Sequence, residues 1–585
     1  MAGKFGNYFL GLLVVLLPYQ LFAQCNLIEI TLDTKIEKSA LVFEGKVIDK
    51  KSFYNTQHTF IYTRNTIQIY KLFKGAVSSK TIDIITEGGT MGDTMLTATA
   101  SANLKIGDVG ILMAEPLKII SPDNLATSAY KFYGDIQGFF NYNLKNKTAS
   151  VPFKNYTDIK NQLYNTIIKK VGKPYTNIKI FELDSVNLSA INPRSVTLIT
   201  SFSPSVTTAG TNSVLTIKGS GFGSIRGNST VNFSNADDGG RTFIQPDTTQ
   251  YISWSDVTIK VIVPSNAGTG PIQIDASSLA TSINTLTITY AELNVQQNNY
   301  AYETNMVALN AQGGVTWRLS GNMDTNATAK TAVIKAMLNW SCNTFVNWEL
   351  GPVTEIDKAL NDSVSVITFD AQASLSEGTL GTCYNYWYLS QTSKWVAAEM
   401  DIVVNPDINW HYNSSTPPSS REYDFESVIA HEFGHGLQCA HVIDTNNIMH
   451  YGIHSGQTRT LNAINFAAGD DVLSRSTSNY FINYNVMTLL DSANCNDLYA
   501  VNVQNNYMIF PNPSDGYISM AIPQNNQNLT INCYNLYGAK LKTINTYNTS
   551  NYISIDLSDL GDGMYILLID DGKKVAKEKM IVEKN

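Results

Sequence analysis

The segment from His431 to His441 constrains the fold more than any other part of this chain. It reads His-Glu-Phe-Gly-His-Gly-Leu-Gln-Cys-Ala-His. Residues four apart share one face of a helix, so His431 and His435 can present two imidazole nitrogens to one metal ion, with Glu432 beside them. His441 lies too far along to share that face. We therefore expect the helix to break after Gly436 and a turn to bring His441 back as a third ligand.

The residue types in this segment suit a hydrolytic zinc centre. Zinc held by three neutral histidine nitrogens keeps a fourth position for water, as a catalytic site requires. Glu432 stands where a general base for that water is needed. The sequence thus predicts Zn²⁺ as the cofactor, with His431, His435 and His441 as its ligands.

The segment resembles the zinc signature of the metzincin metalloproteases, which is followed by a methionine-containing turn. Asn447-Ile448-Met449-His450-Tyr451 lies at a fitting distance and matches the Met-x-Tyr form of the astacin and serralysin branches. The resemblance implies that Met449 is the turn methionine and that Tyr451 is an extra ligand that swings to stabilise the oxyanion. It further implies an endopeptidase that hydrolyses extracellular proteins through a zinc-bound water, with Glu432 as the base.

Residues 291–490 have the size and pattern of one α+β catalytic domain of this kind. Apolar spacing predicts helices over Ala327–Trp340, Phe425–Cys439 and Leu461–Leu473. Strands are predicted over Val315–Leu319, Ser365–Phe369 and Glu399–Val404. The segment from Glu399 to Asn405 resembles the strand that borders the metzincin cleft.

One position departs from the family signature, and one rival ligand set needs comparison. Gln438 stands where the family has a glycine, so it must adopt a backbone that favours glycine, or the helix must end at Gly436. A gluzincin would take a downstream glutamate as its third ligand, but the next glutamate after Glu432 is Glu578, near the end of the chain. An aspartate such as Asp470 or Asp471 is the remaining alternative. We interpret His450 and His454 as polar loop residues.

The first residues have the features of a secretory signal peptide. Lys4 precedes an apolar stretch from Phe9 to Leu17, and Leu21-Phe22-Ala23 offers a cleavage site, which assigns residues 1–23 to the signal. Cys25 keeps a lipoprotein reading open, although Gln24 is a poor residue before a lipidated cysteine. Nothing later resembles a transmembrane segment. All six cysteines follow the signal, and four of them lie between 342 and 495, so one or two disulfides are expected there.

Residues 24–180 read as a β-rich module. Strands are predicted over Leu41–Ile48, Thr66–Phe73, Thr81–Ile85 and Val109–Ala114. The pattern Phe43-Glu44-Gly45-Lys46-Val47, with Phe73-Lys74-Gly75 and Gly107-Asp108, resembles the OB-like barrel of netrin and TIMP-type modules. An unassigned β-domain is the alternative. A further reading is a pro-region that blocks the cleft, although no cysteine-switch motif of the matrixin kind is present.

Two further segments resemble known modules. Residues 197–290 carry Leu215-Thr216-Ile217-Lys218-Gly219-Ser220-Gly221-Phe222-Gly223, Trp254-Ser255-Asp256 and Gly270-Pro271-Ile272, and resemble an IPT/TIG domain, an immunoglobulin-like sandwich. Residues 505–585 carry Phe510-Pro511-Asn512-Pro513 and Leu560-Gly561-Asp562-Gly563-Met564-Tyr565, and resemble the C-terminal sorting domain of the type IX secretion system. The resemblance implies a β-sandwich, passage across the outer membrane with the secretion machinery as partner, and a secreted or surface-attached product.

Composition limits the remaining function classes. The net charge of -8 and the absence of a basic stripe give no support to nucleic-acid binding. Taken together, the segments above predict a multidomain chain with a β-rich N-terminal module, an Ig-like sandwich, a metzincin-like catalytic domain and a sorting domain. Its expected partners are protein or peptide substrates. The alternative is a surface adhesin or binding protein with an inactive metzincin-like domain. Structural Ca²⁺ is common in the clan, but no calcium-loop motif gives it a site.

Overall fold

The computed structural model describes residues 24–25, 27–117, 129–183, 196–371, 375–413, 416–479, 481, 483–490, 507–510, 514, 516–521, 527–535, 539–548, 552–572 and 575–584. The predicted signal peptide, residues 1–23, lies outside these ranges. Four modules follow one another. We call them the N-terminal module (24–183), the second module (196–290), the third module (291–490) and the C-terminal module (507–584).

The N-terminal module is built mainly of strands. Its strands are β1 (Gln24–Cys25), β2 (Leu41–Tyr54), β3 (Ile61–Lys74), β4 (Thr81–Glu87), β5 (Gly89–Met91), β6 (Thr94–Ala98), β7 (Val109–Pro116), β8 (Ala129–Phe132), β9 (Phe139–Asn143), β10 (Thr148–Val151), β11 (Lys154–Tyr156) and β12 (Thr176–Asn177). Its helices are α1 (Leu32–Lys38), a 3₁₀ turn (Asp135–Gly138), a π-helical stretch (Ile159–Tyr164) and α2 (Asn165–Val171). The four predicted strands are present as β2, β3, β4 and β7, each longer than expected.

Five of these strands close into a barrel. β2, β3 and β4 form an antiparallel meander, β8 pairs in parallel with β4, and β7 pairs with both β8 and β2. This closure makes a small five-stranded barrel, the architecture that the OB-like resemblance implies. Membership of the netrin or TIMP family stays a prediction.

The second module is a sandwich of two antiparallel sheets. Its strands are β13 (Leu198–Ser203), β14 (Val206–Ala209), β15 (Val214–Ser220), β16 (Thr230–Asn235), β17 (Phe243–Ile244), β18 (Tyr251–Trp254), β19 (Thr258–Ile262), β20 (Ala267–Asp275), β21 (Leu279–Thr281) and β22 (Thr287–Ala291), with 3₁₀ turns at Ala236–Asp238 and Thr248–Gln250. One sheet has the order β13-β15-β19-β18 and the other β17-β16-β20-β21. Alternate residues such as Leu215 and Ile217 face Val231 and Phe233 in a common core.

The third module has a mixed sheet covered by helices. Its strands are β23 (Asn294–Gln297), β24 (Tyr300–Met306), β25 (Val315–Leu319), β26 (Trp348–Leu350), β27 (Ser365–Phe369), β28 (Gly381–Leu389), β29 (Trp395–Val404), β30 (Trp410–His411), β31 (Tyr423–Asp424) and β32 (Gly452–Ile453). Its helices are α3 (Gly321–Asp324), α4 (Ala327–Thr344), α5 (Phe425–Gly436) and α6 (Ala463–Ser478). The sheet order is β26-β25-β27-β29-β28, and β28 alone in this order runs antiparallel to its neighbour.

Helices α4 and α5 lie against each other beside this sheet. The side chain of Asn326 caps α4, and that of Asp424 caps α5. Each accepts a hydrogen bond from a backbone amide in the first turn of its helix. The indole of Trp340 on α4 donates a hydrogen bond of 2.7 Å to the carbonyl of Ala430 on α5. The start of α5 is therefore fixed by its cap, and its middle by a buried side-chain bond from the neighbouring helix.

The C-terminal module is a second β-sandwich. Its strands are β33 (Met508–Phe510), β34 (Tyr517–Ala521), β35 (Gln527–Asn535), β36 (Lys540–Asn548), β37 (Tyr552–Asp556), β38 (Gly563–Asp570) and β39 (Val575–Val582). They form sheets of order β33-β34-β37 and β36-β35-β38-β39. Its apolar cluster contains only residues between 507 and 582, whereas one continuous cluster runs through the second and third modules from Ile199 to Met487. The second and third modules therefore share a core.

Several sequence expectations in the third module need correction. Helix α5 ends at Gly436 and not at Cys439, α4 continues to Thr344, and α6 runs from Ala463 to Ser478. The Glu399–Val404 segment belongs to β29, which lies inside the sheet between β27 and β28. The strand nearest α5 at the sheet edge is β28, which the pattern analysis missed because its first seven residues are all buried and show no alternation.

A disulfide at Cys342 agrees with the expectation of one or two bridges in this region. Cys342 is disulfide-bonded, whereas Cys383, Cys439 and Cys533 are free and buried. A bridge from Cys342 to Cys383 or Cys439 is thereby excluded. Burial raises the pKa of the Cys439 thiol well above its usual value, as expected for an unreactive side chain.

Candidate metal centre

Helix α5 holds two histidines and a glutamate inside the third module. His431, Glu432 and His435 are all buried. Phe433, on the opposite side of the helix, packs edge-on against Trp317 at 5.1 Å between ring centroids, and it packs against Trp348 in a tilted arrangement at 5.3 Å. This aromatic contact anchors the apolar side of α5 to the sheet, and the polar side faces the candidate site.

The chain reverses directly after α5. Gln438 has φ of 67°, the left-handed conformation that favours glycine. Its buried side chain accepts a hydrogen bond of 2.6 Å from Trp387 Nε1 and donates to Asn385 Oδ1 and to the carbonyl of Gly436. Both consequences expected of a non-glycine at this position therefore occur together: the helix ends at Gly436, and Gln438 takes the strained backbone.

The reversal brings the third histidine to the other two. His435 Nε2 lies 2.9 Å from His431 Nε2 and 3.1 Å from His441 Nε2. Among the described residues, these three form the one group of histidine, cysteine or acidic side chains close enough to hold a metal ion. Three nitrogens bound tetrahedrally at 2.0–2.1 Å would be about 3.3 Å apart, close to the observed spacing.

The other nitrogen of each ring is bonded elsewhere. His431 Nδ1 lies 2.6 Å from the carbonyl of Ile448, His435 Nδ1 lies 2.9 Å from the carbonyl of Cys439, and His441 Nδ1 lies 2.8 Å from Asp237 Oδ1. These partners are acceptors, so each ring carries its proton on Nδ1 and directs the lone pair of Nε2 towards the other two. Burial lowers the pKa of His435 to about 3 and that of His431 well below its usual value, which keeps both rings neutral.

Three converging lone pairs repel one another unless a cation lies among them. The donor set of three neutral imidazoles suits Zn²⁺ and leaves one tetrahedral position for a further ligand. The residues present therefore fit the ion that the sequence predicts. No carboxylate or thiolate of the described residues joins the cluster, and Asp471 instead accepts a hydrogen bond of 3.1 Å from Tyr290.

Glu432 has the environment of a proton acceptor. Its two buried carboxylate oxygens are bonded to no side chain among the described residues, and the nearest backbone donor is the amide of Cys383 on β28. Burial raises the pKa of this carboxyl to about 8. The backbone of Gly381, at the start of β28, comes so close that a β-carbon there would lie 3.2 Å from Glu432 Oε1. The first residues of β28 thus border the carboxylate.

Met449 and Tyr451 lie on either side of a tight turn near the triad. A β-carbon on Gly434 would lie 2.3 Å from Met449 Sδ, so the glycine allows the methionine to press against α5 between the first two histidines. The Tyr451 hydroxyl accepts a hydrogen bond of 2.6 Å from Arg241 Nη1 of the second module. The role implied for Tyr451 stays a prediction. His450 lies in the loop between α5 and β32 and outside the triad, as predicted, but its ring is buried, and this burial lowers its pKa to about 3.

Segments of the N-terminal module pair with both sides of this region. β1 pairs with Gly452–Ile453, directly after Tyr451, and Leu27 forms an antiparallel bridge with Thr379. The amide of Ile28 donates to the carbonyl of Gly378 at 2.5 Å. Further along the same edge, β6 pairs with Tyr384–Tyr388 of β28. The N-terminal module therefore covers the edge of the sheet that begins beside Glu432.

Comparison with known proteins identifies two of the four modules. Residues 197–290 match the IPT/TIG domain family, and residues 508–583 match the secretion system C-terminal sorting domain. The second module is an IPT/TIG domain. The C-terminal module is a type IX sorting domain, so the protein is exported and is secreted or attached to the cell surface. No helix in the described parts of the chain is long and apolar enough to cross a membrane.

The remaining comparisons add no family. No curated protein matches the chain. It has 9% identity and a TM-score of 0.13 to dimeric latent PorU from Porphyromonas gingivalis, covering 65% of this chain and 32% of that one. It has 7% identity and a TM-score of 0.12 to a tetra-tandem repeat in the extending region of a large adhesion protein, covering 94% of this chain and 92% of that one. The chain thus spans about a third of the length of the first of these structures.

Sequence reasoning missed two residues at this site. Asp237 and Arg241 belong to the IPT/TIG domain, about 200 positions before the residues they contact. Neither stands in a motif with metal or catalytic spacing. Their participation depends on how two modules pack, and nothing in the local sequence encodes that packing.

Proposed function

We propose that the protein is a secreted zinc-dependent endopeptidase. One observation carries the proposal: three buried histidines converge through Nε2, and a buried glutamate that no other side chain bonds stands next to the first of them on the same helix. A structural zinc site has its four positions filled by protein ligands and has no use for a free carboxylate beside it. Three ligands and a base are the composition of a hydrolytic centre.

Each residue of the site has a defined task in peptide hydrolysis. Zinc, when bound by the three histidines, supplies a Lewis acid that activates water and polarises the scissile carbonyl. Glu432 accepts a proton from the attacking water and passes it to the leaving amine, for which its two carboxylate oxygens are available. Tyr451 donates a hydrogen bond to the oxyanion of the tetrahedral intermediate.

The test compares casein hydrolysis by the wild-type protein, by Glu432→Gln and by a chelated sample, with zinc content measured in each. We expect Glu432→Gln to keep about one zinc per chain and to lose activity by about 100-fold or more. Glu426→Gln is the matched control, because it removes the same charge from the first turn of the same helix. It should change activity by less than about twofold, since it adds no unpaired group at the site.

Two outcomes would contradict the proposal. If Glu432→Gln hydrolysed casein like the wild type, Glu432 would not be the base. If the wild type bound zinc but hydrolysed neither casein, gelatin nor short peptides, the alternative of a surface binding protein with an inactive domain would be favoured.

A further inference from the structure

We infer that the IPT/TIG domain is a structural part of the metal centre, with Asp237 as the positioning residue for His441. The inference rests on the proposed function, because it assigns a role towards the same ion. It differs from the usual reading of such a domain as a spacer or binding module. The contact that carries it joins Asp237 Oδ1 to His441 Nδ1 at 2.8 Å, across a module boundary.

The three histidines differ in what orients them. His431 and His435 are held through backbone carbonyls of the third module, which are fixed by the fold of that module alone. His441 is held by a side chain from another module. A carboxylate that accepts a hydrogen bond from Nδ1–H fixes the tautomer, directs Nε2 towards the ion and makes Nε2 a stronger electron-pair donor to the metal. The third ligand therefore depends on the position of the IPT/TIG domain.

The segment that carries Asp237 is braced on both sides. We call residues 235–242 the site loop. The side-chain oxygen of Asn235 accepts a hydrogen bond from the backbone amide of Asp237. The side-chain amide of Asn266 donates a hydrogen bond to the second carboxylate oxygen of Asp237. Asp238 accepts from the backbone amides of Arg241 and Thr242 at 2.8 and 3.0 Å. Asp237 is thus presented in one orientation instead of on a free loop.

The site loop makes a second contact with the same turn of the third module. Arg241 Nη1 donates both to the carbonyl of Asp238 and to the hydroxyl of Tyr451. A β-carbon on Gly239 would lie 3.0 Å from the Tyr451 hydroxyl, so this glycine permits the close approach. One short segment of the IPT/TIG domain therefore contacts both His441 and Tyr451.

The interface around these contacts is closely packed. Ile443, two residues after His441, lies against Gly268, where a β-carbon would come within 2.5 Å of its side chain. Backbone bonds of 2.8 Å join Ala440 to Ala291 and Leu293 to Gln438. The segment from Gln438 to Ile443 is thereby fixed between the end of the IPT/TIG domain and the site loop.

The test measures zinc affinity by competition with a chromophoric chelator, using the full exported chain. Asp237→Ala removes the acceptor, and we expect a 10- to 100-fold loss of zinc affinity, the usual effect of losing such a partner. Asp237→Asn keeps the shape and one acceptor oxygen but loses the charge, and should give a smaller loss. Asp256→Ala is the matched control: it removes an exposed carboxylate of the same domain that accepts only the Gly223 amide among the hydrogen bonds described.

A second measurement separates positioning from general destabilisation. In Co²⁺-substituted protein, the visible absorption bands report the ligand geometry. Asp237→Ala should shift these bands, whereas Asp256→Ala should leave them unchanged even if it lowers thermal stability. If Asp237→Ala does not fold, the comparison of Asp237→Asn with the wild type decides.

The possible failures are distinguishable. A wild-type chain without zinc affinity would overturn the proposed function and this inference with it. Unchanged affinity and Co²⁺ spectrum in folded Asp237→Ala and Asp237→Asn would overturn the inference alone, since the triad would then be complete without the IPT/TIG domain. A loss of affinity equal in Asp256→Ala would assign the effect to domain stability and would also overturn it.

Discussion

Gln438 shows how one residue can hold a strained turn at the centre of a site. A non-glycine residue in the left-handed region costs about 1–2 kcal/mol, which a glycine would avoid. The side chain offsets this cost, because it satisfies the indole of Trp387 and the amide oxygen of Asn385 in a buried place. Both the strain and its compensation belong to the turn that delivers His441.

We expect Gln438→Gly to destabilise the third module by about 1–3 kcal/mol, although it relieves the backbone. The reason is that two buried polar groups lose their partner, at about 1–3 kcal/mol each. The free energy of unfolding, measured by denaturant titration followed by tryptophan fluorescence, checks this. Asn212→Gly is the control, since Asn212 has φ of 57° at an exposed position, and it should change stability by about 1 kcal/mol or less. A stabilised Gln438→Gly would show that the backbone strain outweighs the hydrogen bonds.

The convergence of the three histidines could be predicted from the sequence, but their surroundings could not. His431, His435 and His441 converge as their spacing predicts, because a helix and one turn determine their relative positions. Asp237 has no such local rule. The departure at Gln438 was visible in the sequence, whereas its two side-chain partners, Trp387 and Asn385, lie on β28, which is distant in the chain.

At the scale of elements, the strands that could be predicted were those whose apolar residues alternate or form short runs. Val315–Leu319 and Ser365–Phe369 alternate or lie in short apolar runs, and both strands have the predicted bounds. β28 is buried on both faces at its start and gave no alternation to detect. Its pairing with β6 of the N-terminal module is a long-range contact that no local pattern specifies.

The same sheet edge yields a prediction about the N-terminal module. An exposed strand edge is where an extended peptide can add itself to a sheet. Here the edge before Gly381 is already paired through the Ile28 amide, which donates to Gly378. While that bond is made, a substrate cannot use the same carbonyl. We therefore expect Ile28→Pro, which lacks the N–H donor, to hydrolyse peptides several-fold faster than the wild type, through a lower KM.

The matched control for this prediction is Ile28→Ala. It removes the same side chain but keeps the amide, so it should raise the rate less than Ile28→Pro does. Initial rates over a range of peptide concentrations separate KM from kcat. Equal kinetics for wild type and Ile28→Pro would mean that substrates do not compete with the N-terminal segment for this edge, and the pro-region reading would lose its main support.

At the scale of the whole molecule, the boundaries of the apolar clusters do not coincide with the boundaries of the domains that the sequence matches. The IPT/TIG domain and the third module share one continuous cluster, whereas the sorting domain has a cluster of its own. Modules that share a core unfold together, and modules that do not can unfold separately. The histidine triad lies at the boundary between these two modules, because His441 is bonded to Asp237 across it.

Removal of zinc should therefore lower the melting temperature of the IPT/TIG domain as well as that of the third module, and leave the sorting domain unchanged. An ion at 1,000 times its Kd stabilises the state that binds it by about 4 kcal/mol, and this stabilisation reaches every module that unfolds with the site.

All seven tryptophans lie in the second and third modules, and Trp254 is the one in the IPT/TIG domain. The difference in fluorescence between wild type and Trp254→Phe thus reports the IPT/TIG domain. The sorting domain has no tryptophan, and a chain shortened by residues 505–585 identifies which circular-dichroism transition belongs to it. A chain with His431→Ala should show no response to chelation. If the Trp254 signal melted at the same temperature with and without chelator while the third module shifted, the two modules would not form one cooperative unit, because stabilisation by the ion would end at their boundary.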